Sequence, residues 1–313
     1  MIKSSKEIIE AARTLSQGGK RRRVAVAAAE DADVLGAVRS AYDDGICCAS
    51  LFGDEKKIRE LAGIHNLSLD HLDIVHQPDP HQAVLQAVEL AAEGQADVIM
   101  KGFVSTSDLL KGVLDKRFNL RASPALSHVA VLDVPGHDRL LMITDGGMVV
   151  KPTVEQKYDM LKNAVMVGRA LGISPVKVAL SSAGDQVSSA MPQSVECVQV
   201  VKRVTEDRLE DCEVAGPMGF DVAFSPDVAA RVGIQNSVAG QADVYLTGSI
   251  EEGNITAKSM IIFAGAVFAG VIVGAKVPVS LVSRTDPVMG KKTSIALACL
   301  IADFYRREGK ERR

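Results

Sequence analysis

Short runs of β-branched and aliphatic residues alternate along the chain with longer stretches in which apolar residues recur every three to four positions. That is the pattern of strands and amphipathic helices in an α/β fold with a mostly parallel sheet. The first runs predict strands over 24–29, 47–53 and 72–75, with a helix over 31–44. A helix over 80–93 and a strand over 97–101 follow, and the strand stops at Gly102. Ser105 or Thr106 then supplies an N-cap for a helix through Asp108 and Leu114, since a hydroxyl accepts from a free first-turn N–H. The middle breaks the rhythm. Runs at 128–134 and 139–144 flank the turn Pro135-Gly136-His137-Asp138 and predict an antiparallel hairpin. Beyond Pro152 the rhythm resumes with a long helix (155–171), a strand (176–181) and a helix from Pro192. Next come a strand over 213–215 leading into a Gly216-Pro217 loop, a strand over 244–247 and a helix over 253–268. Strands over 270–273 and 279–282 precede a final amphipathic helix over 293–306.

Length and composition narrow the picture. The chain has 313 residues, enough for two domains of ordinary size. With 47% apolar and 24% charged residues it can bury a real core, and its 26 Gly against no Trp suit tightly packed helix-on-sheet layers. Thirty-six basic and 39 acidic residues leave a net charge of −3, so a general nucleic-acid binder is not expected and any anion site is local. Cys47, Cys48, Cys197, Cys212 and Cys299 are irregularly spaced, with no CxxC, and read as buried structural thiols. The start, MIKSSKEIIEAARTL, is amphipathic and has no apolar signal core. The uncharged run 259–275 falls short of the roughly 20 apolar residues a membrane span needs. It predicts a buried helix running into a strand. A cytoplasmic protein without a membrane partner is the expectation.

Several familiar motifs fail. Gly290-Lys291-Lys292-Thr293 lacks the upstream Gly of a P-loop and reads as a solvated helix start. No GxGxxG follows a strand, and HExxH, GxSxG and a clustered Asp set for Mg²⁺ are all missing, so neither a metal nor a bound nucleotide cofactor is expected. His65, His71, His76 and His81 lie in a polar stretch and read as surface.

Three turns at strand ends remain. The first carries Lys101, Gly102, Ser105, Thr106 and Lys111: a cation, hydroxyls and the free N–H groups of a new helix make a generic anion site. The second, Ser283-Arg284-Thr285-Asp286, places a planar guanidinium beside a hydroxyl. In the third, Asn254 and Lys258 share a helical face at i, i+4. Each has a plain alternative in a capped helix or a surface ion pair.

Taken in order, MKGFVSTSDLLK, ALSHVAVLDVP, LLMITDGGMVVKPTVEQK, VAGPMGFDVAFSPDVA, AGQADVYLTGSIEEGNITAKSM and PVSLVSRTDP resemble the phosphate acetyl/butyryltransferase family from about residue 97 to residue 300. The compact length is closer to the phosphate butyryltransferase branch. The resemblance implies two three-layer α/β domains with mostly parallel sheets and an interdomain cleft, of the isocitrate/isopropylmalate dehydrogenase-like kind. With the hairpin's exit as the first boundary, the layout is 1–144 plus 276–313 for one domain and 145–275 for the other. It implies a homodimer or higher homo-oligomer. The implied reaction is acyl-CoA plus phosphate giving acyl phosphate plus coenzyme A, with the thioester and inorganic phosphate as substrates and no bound cofactor.

Residue by residue, the family's cleft pair falls on Ser283 and Arg284, with Asp286 near the position of the base toward the coenzyme A thiol. Lys111 stands where acetyl enzymes carry an Arg that contacts coenzyme A. Asp221, Asn254 and Lys258 match further cleft positions. Phe103, Met148 and Met218 are candidates for shaping the acyl pocket. A phosphate acetyltransferase, a metal-dependent hydroxy-acid dehydrogenase on the related scaffold, and a non-catalytic module binding coenzyme A or phosphate are the rival readings. Because the sequence lacks a carboxylate cluster for a divalent ion, acyl-CoA turnover is expected to survive EDTA. Loss of turnover that a divalent ion restores would favour the dehydrogenase.

Overall fold

The computed structural model describes residues 1–19, 21–282 and 286–309. The chain opens with α1 (Ser5–Gln17), β1 (Arg22–Ala27), α2 (Ala32–Asp43), β2 (Cys47–Gly53), α3 (Glu55–Ile64) and β3 (Asp73–His76). It continues through α4 (Pro80–Ala92), β4 (Val98–Lys101), α5 (Thr106–Val113), β5 (Ser127–Asp133), β6 (Leu141–Thr144), α6 (Val154–Ala170) and β7 (Val176–Ser181). Then come α7 (Pro192–Glu206), β8 (Cys212–Met218), α8 (Phe220–Phe224), α9 (Pro226–Val232), β9 (Val244–Leu246) and α10 (Ile250–Ala264). The last elements are β10 (Val267–Val273), β11 (Val279–Ser280) and α11 (Val288–Arg307).

Two compact units result. The first joins Ser5–Ala122 to Phe268–Arg313, and the second joins Met1–Ser4 to Ser123–Val267. In the first, the strand order is β3-β2-β1-β4-β11-β10. β1 runs parallel to β2 and β4, β2 to β3, and β4 to β11; β10 is antiparallel to β11. Val24, Ala25, Val26 and Ala27 are all buried, which requires cover on both faces of the sheet. α4 packs on β1 and β2, while α11 packs on α1, α2, β1 and β4. Aspartates 31, 54 and 79 each accept a first-turn N–H, and so start α2, α3 and α4 where the strand pattern ends.

In the second unit the order is β5-β6-β9-β7-β8. β5 and β6 form the expected antiparallel hairpin, and β6, β9, β7 and β8 are parallel. Thr153 and Gln156 close a capping box that starts α6. Tyr245 and Met218 pack with Val222, Ala223 and Val238 in a buried cluster, so Met218 is core rather than pocket lining.

The structure departs from the sequence pattern at several points. The units divide at residues 123 and 267–268, not at 144 and 276, because β6 pairs with β9 and carries its hairpin into the second unit. Gly216-Pro217 lies inside β8 rather than after it. β8 ends the strand order of its unit, where a proline's missing N–H is tolerated. The helix expected to be buried begins earlier, at the Ser249 cap, and stops at Gly265 in the left-handed region. It is not a buried helix: Ile255, Ile262 and Phe263 are exposed, Phe263 to 88%. The final helix starts at Val288, so Gly290-Lys291-Lys292-Thr293 falls within it and is buried instead of solvated. α3, α8 and α9 have no counterpart in the predicted pattern. Of the five cysteines, Cys48 and Cys212 are only half-buried.

Candidate functional site

In the first unit the parallel strands β1, β4 and β11 end on one edge, with Lys101 beside Ala27 and Met100 beside Ser280. The strand order reverses between β1 and β4. At such a switch point the connections diverge, leaving a crevice at the carboxyl ends of the strands where ligands bind. Here backbone bonds tie the turns after the two strands together. Gly102 N–H donates to the Ala27 carbonyl at 2.9 Å and Phe103 N–H to the Ala28 carbonyl at 2.6 Å. A Cβ on Gly102 would lie 2.0 Å from the Ala28 oxygen, so only glycine fits.

That turn delivers most of the first candidate set to one place. Lys101 is 6% exposed, and its Nζ donates to the Gly102 carbonyl at 3.3 Å. Ser105 is the N-cap of α5, accepting the Asp108 N–H at 3.0 Å and donating to the Asp108 carboxylate at 2.7 Å. Thr106 follows in the first turn. Lys111, one turn on, is exposed with its Nζ 3.0 Å from Asp108. The Ser105 hydroxyl and the Lys111 ammonium hold the Asp108 carboxyl below the usual carboxylate range. Asp286 closes the connection leaving β11 and is 5% exposed. Ser283 and Arg284 lie outside the described residues. A cavity of about 390 Å³, bordered by Glu30, Lys57, Ile64 and Phe103, opens nearby. Two further hollows near Asp97 and Arg306 lie at the opposite edge, by the amino-terminal end of β4.

The second unit organises its own strand ends around Asp145. This carboxylate, 1% exposed, accepts from the N–H groups of His128 at 2.8 Å, Gly147 at 2.7 Å and Met148 at 2.8 Å. A Cβ on Gly253 would lie 2.4 Å from the Asp145 carbonyl oxygen, so α10 begins in direct contact with the backbone after β6. Asn254 Nδ2 donates to the Gly146 carbonyl at 3.1 Å, which fastens the same contact. Lys258 follows one turn later, half-buried. Asp221 is exposed in the first turn of α8, its carboxylate accepting the Val222 N–H at 2.9 Å. Of the acyl-pocket candidates outside the core, Met148 is half-buried and Phe103 is exposed.

Three of these features escaped the sequence reading. Asp145 has no motif of its own. Glu252 accepts from Gly248 N–H at 2.8 Å and Gln193 Nε2 at 3.1 Å; the Ser249-x-x-Glu252 spacing of a capping box was its available signal. Lys291 was hidden by the failed P-loop. The thiols are poor nucleophiles: burial pushes Cys47 up to about 12, and Cys197 and Cys212 up to about 11. Among the described residues no group of three or more His, Cys, Asp or Glu is arranged to hold a metal ion.

The family model described as "Phosphate acetyl/butaryl transferase" matches residues 79–299. The chain belongs to this family. It is 38% identical over 302 residues to the phosphate butyryltransferase of Clostridium acetobutylicum, covering 96% of this chain and 99% of that protein. It is 37% identical to the phosphate acetyltransferase of Thermotoga maritima, over 91% of this chain and 96% of that one. Among solved structures, a branched-chain phosphotransacylase from Enterococcus faecalis superposes with a TM-score of 0.82 at 29% identity, covering 90% of this chain and 99% of that one. A 4-hydroxythreonine-4-phosphate dehydrogenase from Salmonella typhimurium gives 0.59 at 13% identity over 90% and 99%, a likeness of fold alone. The Gly102 turn lies within the stretch the phosphate acetyl/butyryltransferase family shares.

Gly102→Ala is expected to destabilise the protein by about 1–3 kcal/mol in chemical denaturation, since backbone must move to admit the methyl. Gly63→Ala, with nothing within 4 Å of its added carbon, serves as the control and should be neutral or slightly stabilising. Equal effects at the two positions would refute the close-approach argument.

Proposed function

We propose that this protein interconverts acyl-CoA and phosphate with acyl phosphate and free coenzyme A, with butyryl as the acyl group. The observation that carries the reading is the match to a phosphate butyryltransferase over nearly the full length of both chains. The similarity to a phosphate acetyltransferase supports acetyl as the second choice. Initial rates of coenzyme A release with acetyl-, propionyl-, butyryl- and isobutyryl-CoA decide between them. A preference for acetyl-CoA would overturn the first choice.

In the forward reaction a phosphate oxygen attacks the thioester carbonyl, and negative charge develops on the carbonyl oxygen. The C–S bond then breaks, and the departing coenzyme A sulfur takes a proton. The chemistry calls for a cation on the phosphate, donors for the developing oxyanion and anchors for the coenzyme A phosphates. Lys101 and the first-turn N–H groups of α5 suit the phosphate. By resemblance Ser283 and Arg284 serve the oxyanion, and Lys111 a coenzyme A phosphate. Asp286 is assigned to proton transfer, and Asp221, Asn254 and Lys258 to substrate binding. No cysteine is required, which fits the raised thiol pKa values.

The protein is further proposed to act in the cytoplasm as a homodimer. No helix among the described residues is long and apolar enough to cross a membrane. The exposed Ile255, Ile262 and Phe263 of α10 form an apolar face suited to burial against a second copy. In sedimentation, the double change Ile262→Glu with Phe263→Glu should give monomers. Intact dimers would move the interface elsewhere.

Arg284→Ala is expected to lower kcat by about 10²–10³-fold, the usual loss for one oxyanion donor. Arg284→Lys, which keeps the charge without two parallel N–H groups, should recover only part of it. Near-wild-type kcat/KM in folded Arg284→Ala would remove this turn from the mechanism.

A further inference from the structure

The start of α11 holds a cation for which the proposed reaction has assigned no part. Lys291 stands within the first turns of the helix, and its side chain is 1% exposed. This is an unfavourable place for an ammonium. The free N–H groups of a helix start carry partial positive charge, and burial strips the group of water. A lysine is retained in such a place only if its partners compensate.

Two partners are present. Nζ donates to the backbone carbonyl of Asp286, and it lies 3.5 Å from the carboxylate of Asp33. Asp33 belongs to the first turn of α2, which follows β1 directly. Asp286 ends the connection from β11. One ammonium therefore joins two helix starts at the edge where β1, β4 and β11 end. The neighbouring Lys292 pairs with Asp44 at the other end of α2, so the two lysines grip that helix at both ends and fix how α11 lies on it. Pro287, the N-cap, contributes no side-chain capping bond. The Asp286 carbonyl is thus held by a side chain from within the helix.

We propose that Lys291 is a positioning residue for the acyl-transfer reaction, fixing the backbone of Asp286 against α2 at the carboxyl edge of the sheet. This rests on the proposed function, in which Asp286 takes part in proton transfer. A lysine kept only for stability behaves differently. Lys291→Met removes the buried charge, and the half-exposed carboxylate of Asp33 can regain water, so fold stability and turnover should separate in the variants.

The test uses the full-length protein, Lys291→Met and Asp33→Asn. Steady-state kinetics with butyryl-CoA and phosphate are measured beside thermal unfolding and amide hydrogen exchange. Lys291→Met is expected to fold, to lose about 10²-fold in kcat through misplacement of the reacting geometry, and to leave the KM for butyryl-CoA nearly unchanged. Exchange should quicken at the amides of Asp286 and residues 288–291. Asp33→Asn, which preserves volume and leaves the bond from Lys291 to the Asp286 carbonyl in place, should give a smaller loss of kcat in the same direction. Wild-type kcat in folded Lys291→Met, or unchanged exchange at Asp286 and residues 288–291, would overturn the proposal. Should Lys291→Met fail to fold, wild-type kcat in Asp33→Asn overturns it equally. A wild-type protein inactive on every acyl-CoA would sink the reaction instead, while the exchange comparison would still decide whether Lys291 holds Asp286.

Discussion

Between the ends of β1 and β4 there is room for backbone and nothing more. Gly102 and Phe103 donate to the carbonyls of Ala27 and Ala28, and the missing side chain of Gly102 makes that approach possible. The rest of the first unit's chemistry follows from this contact. Parallel pairing brings Lys101 to the edge beside Ala27, and the tied turn sends the chain straight into the Ser105 cap. α5 therefore begins shortly after the strand end that carries a buried ammonium. A cation and a helix start brought together by the glycine are the features on which the proposed phosphate site rests.

The second unit reaches a comparable result by other means. Its strand ends are gathered by a carboxylate, Asp145, which accepts from three backbone N–H groups. Hydrogen bonds to a charged acceptor contribute more than neutral ones, and leaving the buried His128 donor unpaired would cost more still. Glycines again allow the close pass: Gly253 brings α10 against the Asp145 carbonyl, and Asn254 fastens it. The Asn254 side chain, which the sequence offers as a ligand-binding group, thus also has structural work in holding its own helix start to β6.

Much of this was legible because strands buried on both faces write themselves as continuous apolar runs, and the polar residue ending each run marks a strand end. Lys101, Gly102 and Ser105 were found that way. The failures have a common physical origin. Pattern reading takes each helix to bury its apolar side within its own unit, and α10 does not: Ile262 and Phe263 face outward. It also takes a lysine pair to mean solvent, yet Lys291 and Lys292 are buried because Asp33 and Asp44, far away in sequence, come to meet them. Gly216-Pro217 read as a loop because local chemistry does not reveal that β8 is an edge strand. Asp145 stayed invisible, since a carboxylate whose partners are all backbone N–H groups leaves no trace in side-chain spacing. Ser283 and Arg284 rest on family resemblance alone.

The fold by itself does not choose the chemistry. A dehydrogenase shares the scaffold at a TM-score of 0.59, so the decision lies with the side chains at the strand ends. This chain has a net charge of −3, and its surface as a whole offers phosphate no attraction. What it does offer is local. Lys101 and Lys291 sit at one edge, each nearly excluded from water and each held by a backbone carbonyl. In such surroundings a fixed charge acts through less screening than at the surface, and it need not reorganise as charge shifts during a reaction. Folding has already met the cost of burying these ammonium groups, and their carbonyl partners keep them oriented. Lys111 is different: it is exposed on α5 and paired with Asp108 at 3.0 Å, where solvent screens both charges. The division between buried, fixed cations and an exposed, screened one follows from their burial, and on it rest the different roles proposed for Lys101, Lys291 and Lys111.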